Sequence, residues 1–160
     1  MPNFNKLFEN SKGKPINYNG KILTRFDNFA IENGESLVIC IESTNSKNTQ
    51  GVAVDITGSC MFNGREWNQG KGVFMVFWEK SEVYDPKNIE LKICSTKGSV
   101  KIRNIWESTD HRGSSFVDYG RYGSAMILEE IPGGKKYSCN DWTPDENFDD
   151  IIFTVKKMGV

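Results

Sequence analysis

The chain predicts an all-β protein, a two-sheet antiparallel β-sandwich in jelly-roll or Greek-key order, and three observations carry that expectation. Apolar residues alternate with period two, as where Val52, Val54 and Ile56 face one way while Ala53, Asp55 and Thr57 face the other. The alternating runs are rich in β-branched and aromatic residues, and Gly, Asn, Asp or Pro bounds each of them. No segment shows an amphipathic helical period over the roughly ten residues that the crossovers of a parallel sheet require.

Taken in order, the elements begin with a short turn of helix at residues 3–10, Asn3-Phe4-Asn5-Lys6-Leu7-Phe8-Glu9-Asn10. Nine strands are expected after it, at 20–26, 36–43, 51–62, 72–80, 88–95, 98–107, 124–130, 134–139 and 150–157. Asn33-Gly34, Asn63-Gly64, Lys97-Gly98 and Pro132-Gly133-Gly134 supply turn residues that tolerate positive φ. Long alternating stretches such as Gly72-Val73-Phe74-Met75-Val76-Phe77-Trp78 suit two sheets whose inner faces interdigitate, with Trp78 and Trp106 expected in the core. Trp67 is open to either reading. There is no repeat, low-complexity tract or linker, so residues 1–160 are read as a single domain.

Composition narrows the function. Lys and Arg number 20 against 21 Asp and Glu, which leaves no net field to hold a polyphosphate or an anionic membrane. Nucleic acid and membrane insertion are therefore not expected, and no apolar run approaches the roughly 20 residues of a bilayer span. The first residues lack the charged start and apolar core of a leader, so the chain reads as cytoplasmic, or as leaving the cell by another route. Cys40, Cys60, Cys94 and Cys139 form no C-x-x-C pair, and buried free thiols are the expected state; a disulfide framework, with three pairings open, is the alternative for an exported chain. One histidine, His111, in a polar turn, together with the absence of G-x-S-x-G, speaks against zinc and against nucleophilic triads. G-x-G-x-x-G and G-x-x-x-x-G-K-[ST] are also absent. No enzyme is expected.

Two constellations remain. Asn140-Asp141-Trp142-Thr143-Pro144-Asp145-Glu146-Asn147-Phe148-Asp149-Asp150 gathers four aspartates, a glutamate and two amides within eleven residues. Such hard oxygen donors suit Ca²⁺, with Asp141, Asp145, Asp149 and Asp150 as candidate ligands. The alternative is a solvated acidic loop, with Lys135, Lys136, Arg121 or Arg112 as counter-charges. The second constellation is aromatic: Trp142 lies inside the acidic loop, and Asp118-Tyr119-Gly120-Arg121-Tyr122-Gly123 forms a glycine-rich loop. A sugar offers an apolar face and a rim of hydroxyls, and exposed rings beside carboxylates, amides or arginine complement both. Trp142, Tyr119, Tyr122, Arg121, Asp118 and Asn140 are the candidate ligand-binding residues.

Val100-Lys101-Ile102-Arg103-Asn104-Ile105-Trp106, following Leu91-Lys92-Ile93, resembles the later strands of jelly-roll carbohydrate-binding modules. The segment from Ala125 to Cys139, then the acidic loop and Phe148 to Phe153, is similar to cytosolic calcium-dependent lectins and to a βγ-crystallin Greek key. Against the crystallin calcium motif, Asp149-Asp150 is followed by Phe153-Thr154, with the hydroxyl residue displaced. The resemblance implies a carbohydrate-binding, lectin-like module that takes a glycan or oligosaccharide, with calcium at the acidic loop. A calcium-dependent adhesion or protein-interaction protein, self-associating into a homo-oligomer and lacking a sugar site, is the alternative reading.

Overall fold

A computed structural model describes residues 3–159 and shows an all-β sandwich of two antiparallel sheets. The elements are α1 (Phe4–Asn10), β1 (Ile16–Tyr18), β2 (Lys21–Thr24), β3 (Asp27–Ala30), β4 (Ser36–Thr44), β5 (Gln50–Ile56), β6 (Ser59–Phe62), β7 (Arg65–Trp67), β8 (Val73–Trp78), β9 (Ile89–Ser95), β10 (Ser99–Thr109), β11 (Ser115–Asp118), β12 (Ala125–Ile131), β13 (Gly134–Asn140) and β14 (Ile151–Met158). The larger sheet runs β1-β2-β12-β13-β14-β4-β9-β6-β7 and the smaller β11-β10-β5-β8. β3 shares an edge of β10 with β11: it pairs over Ser99 to Ile102, and β11 pairs over Trp106 to Thr109. No helix among the described residues is long and apolar enough to cross a membrane.

The nine expected runs are all strands, with ends shifted by a few residues. Residues 51–62 differ most, because they form two strands in different sheets. The chain changes sheet at Thr57-Gly58, where Gly58 has φ 145° and a side chain would overlap the Ser95 carbonyl. β1, β3, β7 and β11 were not anticipated; each is a pairing of three or four residues, too short to show a period.

Inward side chains of both sheets share one core. Leu37 and Ile39 of β4, Val52 and Val54 of β5, Phe77 of β8, Leu91 of β9, Ile102 of β10 and Phe153 of β14 all belong to it. Tyr137 stacks on Phe153 at 4.7 Å. Each such side chain contributes about 1.5–3 kcal/mol of burial free energy. Trp106 is fully buried as its alternation predicts. Trp78 is not a core residue: Val73, Met75 and Phe77 take the inward positions of β8, so Trp78 lies half-buried on the outer face against Gly51. Trp67 is half-buried against the rim of the core.

A smaller cluster sits on the opposite face of β12, where Ala125 and Ile127 alternate with Met126 and Leu128 of the main core. Helix α1 covers it. Asn3 caps the helix by accepting a 3.0 Å hydrogen bond from Lys6 N, and Phe4 and Phe8, one turn apart, point down onto Leu23 and Phe148. The helix therefore ends up beside the loop that follows β13.

Candidate functional site

Pairing of Ala125 with Asn140 sets the start of β12 beside the end of β13, so the loop entering β12 and the loop leaving β13 emerge together. They are joined by a 2.9 Å hydrogen bond from Gly123 N to Trp142 O. Gly123 fits because it lacks a side chain: a Cβ there would lie 2.5 Å from Pro144 Cα. Tyr122, just before it, holds a left-handed φ of 53°. Arg25 braces the same loop, donating from Nε to Ser124 O at 3.2 Å and from Nη2 to Tyr122 O at 2.8 Å, with its guanidinium over the Phe8 ring. Burial pulls the Arg25 pKa down.

These contacts form a cleft of about 500 Å³ lined by Asn3, Phe4 and Asn5 of the helix end and by Tyr122, Gly123, Trp142 and Pro144 of the loops. Trp142 is 44% exposed and Tyr122 54%. The lining is aromatic and apolar, with two asparagines at its margin.

Beneath the cleft lies a buried polar layer. Asn140 is fully buried, donating from Nδ2 to Asp145 O at 2.7 Å and accepting from Phe148 N at 3.0 Å, while its own carbonyl accepts from Asn104 Nδ2 at 2.9 Å. Asp141 Oδ2 accepts from Ser46 Oγ at 2.6 Å, Gln50 Nε2 at 3.2 Å and Asn48 Nδ2 at 3.3 Å, and Oδ1 accepts from Thr143 N. Asp150 accepts from Asp141 N at 2.9 Å. Desolvation pushes the Asp150 carboxyl up to about 7, an effect that the hydrogen bond from Asp141 N opposes and the Asp141 charge reinforces.

The four candidate metal ligands are thus spread over separate partners. Asp141 and Asp150 adjoin each other, Asp145 accepts from Asn147 N, and Asp149 accepts from Asn45 Nδ2 at 2.9 Å. No group of three or more His, Cys, Asp or Glu among the described residues is placed to hold a metal ion. Asp141 accepts from four neutral donors, so a cation bound there would have to displace at least one of them. The rival counter-charges also lie elsewhere: Arg121 pairs with Asp118, Lys135 with Asp27 and Lys136 with Glu42.

Asp118 and Arg121 form an ion pair, Nε to Oδ1 and Nη2 to Oδ2, both 2.7 Å. Asp118 is buried and also accepts from Ser108 Oγ and Tyr119 N, so it positions Arg121 and has little capacity left for a ligand. The hydrogen bonds to Asp118 raise the Arg121 pKa. The Tyr119 ring lies exposed under the Arg103 guanidinium at 4.7 Å.

Of the six candidate ligand-binding residues, Tyr122 and Trp142 share the cleft, Arg121 adjoins it through the Tyr122 ring, Tyr119 stands outside its lining against Arg103, and Asn140 and Asp118 are internal supports. Residues not anticipated are Asn3, Asn5 and Arg25, brought in from the other end of the chain, and Gly123 and Phe148, set by the way the loops close. Only Gly123 left a mark in the sequence, in the spacing Gly120-Arg121-Tyr122-Gly123. All four cysteines are free, Cys60 and Cys139 buried and Cys40 and Cys94 half-buried. The chain matches no protein-family model, no curated protein and no solved structure.

Proposed function

We propose that the protein binds carbohydrate in the cleft between Tyr122 and Trp142 and performs no chemistry on it. One observation carries this reading: two large loop aromatics, each about half exposed, line one cleft whose walls are fixed by the Gly123–Pro144 contact and by Arg25. Rings held in place give a sugar's C–H face an apolar platform at little entropic cost, and the Asn3 amide N–H groups, which its capping bond through Oδ1 does not use, can donate to hydroxyls. Hydrolysis would need two carboxylates facing each other across the cleft. Asp141 and Asp150 are instead turned into the polar layer, and Glu146 accepts a 2.6 Å hydrogen bond from Tyr18.

The test is a glycan array followed by titration calorimetry with the best binder, for the native chain and for Trp142→Ala. The variant should lose affinity by about tenfold or more and keep its thermal midpoint. Equal binding by the variant, or no glycan retained by the native chain, overturns the reading. A companion Ca²⁺ titration with chelator asks whether a cation binds at Asp141 and Asp150; doing so would displace one of the donors to Asp141, and a rise in midpoint with calcium would show it.

Adhesion through a protein surface is favoured by one feature, the edge strand β8, which is uncharged from Val73 to Trp78 and exposes Phe74. Free sugar separates the two readings, because it competes with glycan binding and leaves self-association through β8 untouched.

A further inference from the structure

Resting on the reading of the cleft as a sugar site, we infer that its ligand is an acidic glycan, one carrying a carboxylate or sulfate group, and that Arg121 receives that group. Arg121 is 46% exposed, yet its position is fixed. Asp118 takes the side-on fork, Nε and one N–H of Nη2, at 2.7 Å on each arm. Three of the five N–H groups of a guanidinium then remain, and those on Nη1 and Nη2 form a second fork at the end of the side chain. Nη1 has no partner among the described residues. The buried carboxylate therefore orients a donor pair toward solvent, which removes much of the rotamer entropy that an arginine loses on capturing an anion.

The surroundings concentrate positive charge at that point. Arg121 lies over the Tyr122 ring at 5.0 Å and near the Phe116 ring at 5.9 Å, so the fork adjoins the Tyr122 wall of the cleft. Arg103 flanks the same segment over Tyr119, enters no ion pair among the described residues and has a buried Nε without a partner. A second guanidinium thus stands beside the segment that carries Arg121. A neutral sugar would leave the exposed fork to water, whereas a ring carboxylate or sulfate would take up the donors that Asp118 leaves.

The experiment uses an array of neutral, carboxylated and sulfated glycans with the full chain, repeated on the methyl-esterified and desulfated forms of the binders. Acidic glycans should be preferred by about tenfold or more, the preference should weaken with added NaCl, and esterification or desulfation, whichever abolishes it, identifies the group. Arg121→Lys keeps the charge but loses the fork, and should bring acidic ligands down to the level of neutral ones with the thermal midpoint monitored in parallel. Neutral glycans bound as tightly as acidic ones, insensitive to salt, overturn this inference and leave the carbohydrate reading standing. Retention of no glycan at all overturns both. The salt and esterification arms need no variant, so a poorly folding Arg121→Lys would not spare the inference.

Discussion

Asp150 gives the sharpest test of the polar layer under the cleft. Its folded pKa of about 7 stands above the ordinary value of 3.8 because burial disfavours the ionised form. Between those values the folded chain holds a proton that the unfolded chain has lost. Stability contributed by this group is therefore complete below about pH 4, declines as pH rises to about 7 and is level beyond. Roughly three pH units at 1.4 kcal/mol each set a ceiling of about 4 kcal/mol, and solvent screening at the end of a loop reduces the expectation to about 2 kcal/mol. Asp150→Asn keeps an oxygen for Asp141 N and sets an N–H toward the Asp141 carboxylate. At about pH 8 the variant should be the more stable protein by about 2 kcal/mol, raising the thermal midpoint by about 4–8 °C. Near pH 4.5 the two proteins should converge. Urea denaturation followed by tryptophan fluorescence across that range measures the difference. A variant less stable than the native chain at pH 8, or a difference that does not change with pH, refutes the assignment of Asp150 as a buried, strained acid.

Two further outcomes follow from the packing. Gly123→Ala must push Pro144 away, so it should cost about 2 kcal/mol or more of stability and abolish ligand binding at the cleft, both readable by denaturation and calorimetry. Burial pushes the Cys60 thiol up to about 11 and the Cys139 thiol well above its usual range. Near pH 7.5 a water-soluble disulfide reagent should therefore modify only Cys40 and Cys94 in the native chain and all four thiols in denaturant; rapid reaction of Cys139 in the native chain would contradict its place in the core.

Much of the sandwich was legible because burial on one face of a strand imposes period two, and the alternation at Val52, Val54 and Ile56 survives in the structure as the inner row of β5. What escaped was whatever period cannot encode. The sheet change at Thr57-Gly58 falls inside residues 51–62, which read as one strand because apolar residues stand on both sides of the break, and β3 and β11 are short strands that owe their existence to the eleven-residue length of β10. The site was half legible. Trp142, Tyr119 and Tyr122 stand exposed on loops, as their glycine- and proline-rich settings suggested, but the acidic residues around them divide into buried and exposed for a reason no local pattern holds. Asp141 is buried because Ser46, Asn48 and Gln50, more than ninety residues earlier, meet it from the opposite loop.

The end of the sandwich that carries the cleft nevertheless has a signature that strand parity makes visible. On β10 the inward row reads Val100, Ile102, then Asn104; on β5, from the other direction, Ile56, Val54, Val52, then Gln50; on β13, Tyr137, Cys139, then Asp141 just past its end. On β5 and β13 the rows end polar, while on β10 Asn104 interrupts an apolar row that the buried Trp106 closes, and pairing brings these points together, Trp106 opposite Gln50 and Asn104 Nδ2 bonded to Asn140 O. A core meant only for stability would gain by continuing such rows with Leu or Val, since a buried polar side chain merely breaks even when fully hydrogen-bonded. The polar ending does what an apolar one cannot: it supplies directional bonds that anchor two irregular loops, 119–124 and 141–150, in one arrangement. That arrangement sets the Tyr122 and Trp142 rings along one cleft and leaves the free edge of Arg121 beside them, so the stability given up in the polar layer is the physical cost of a cleft with fixed walls.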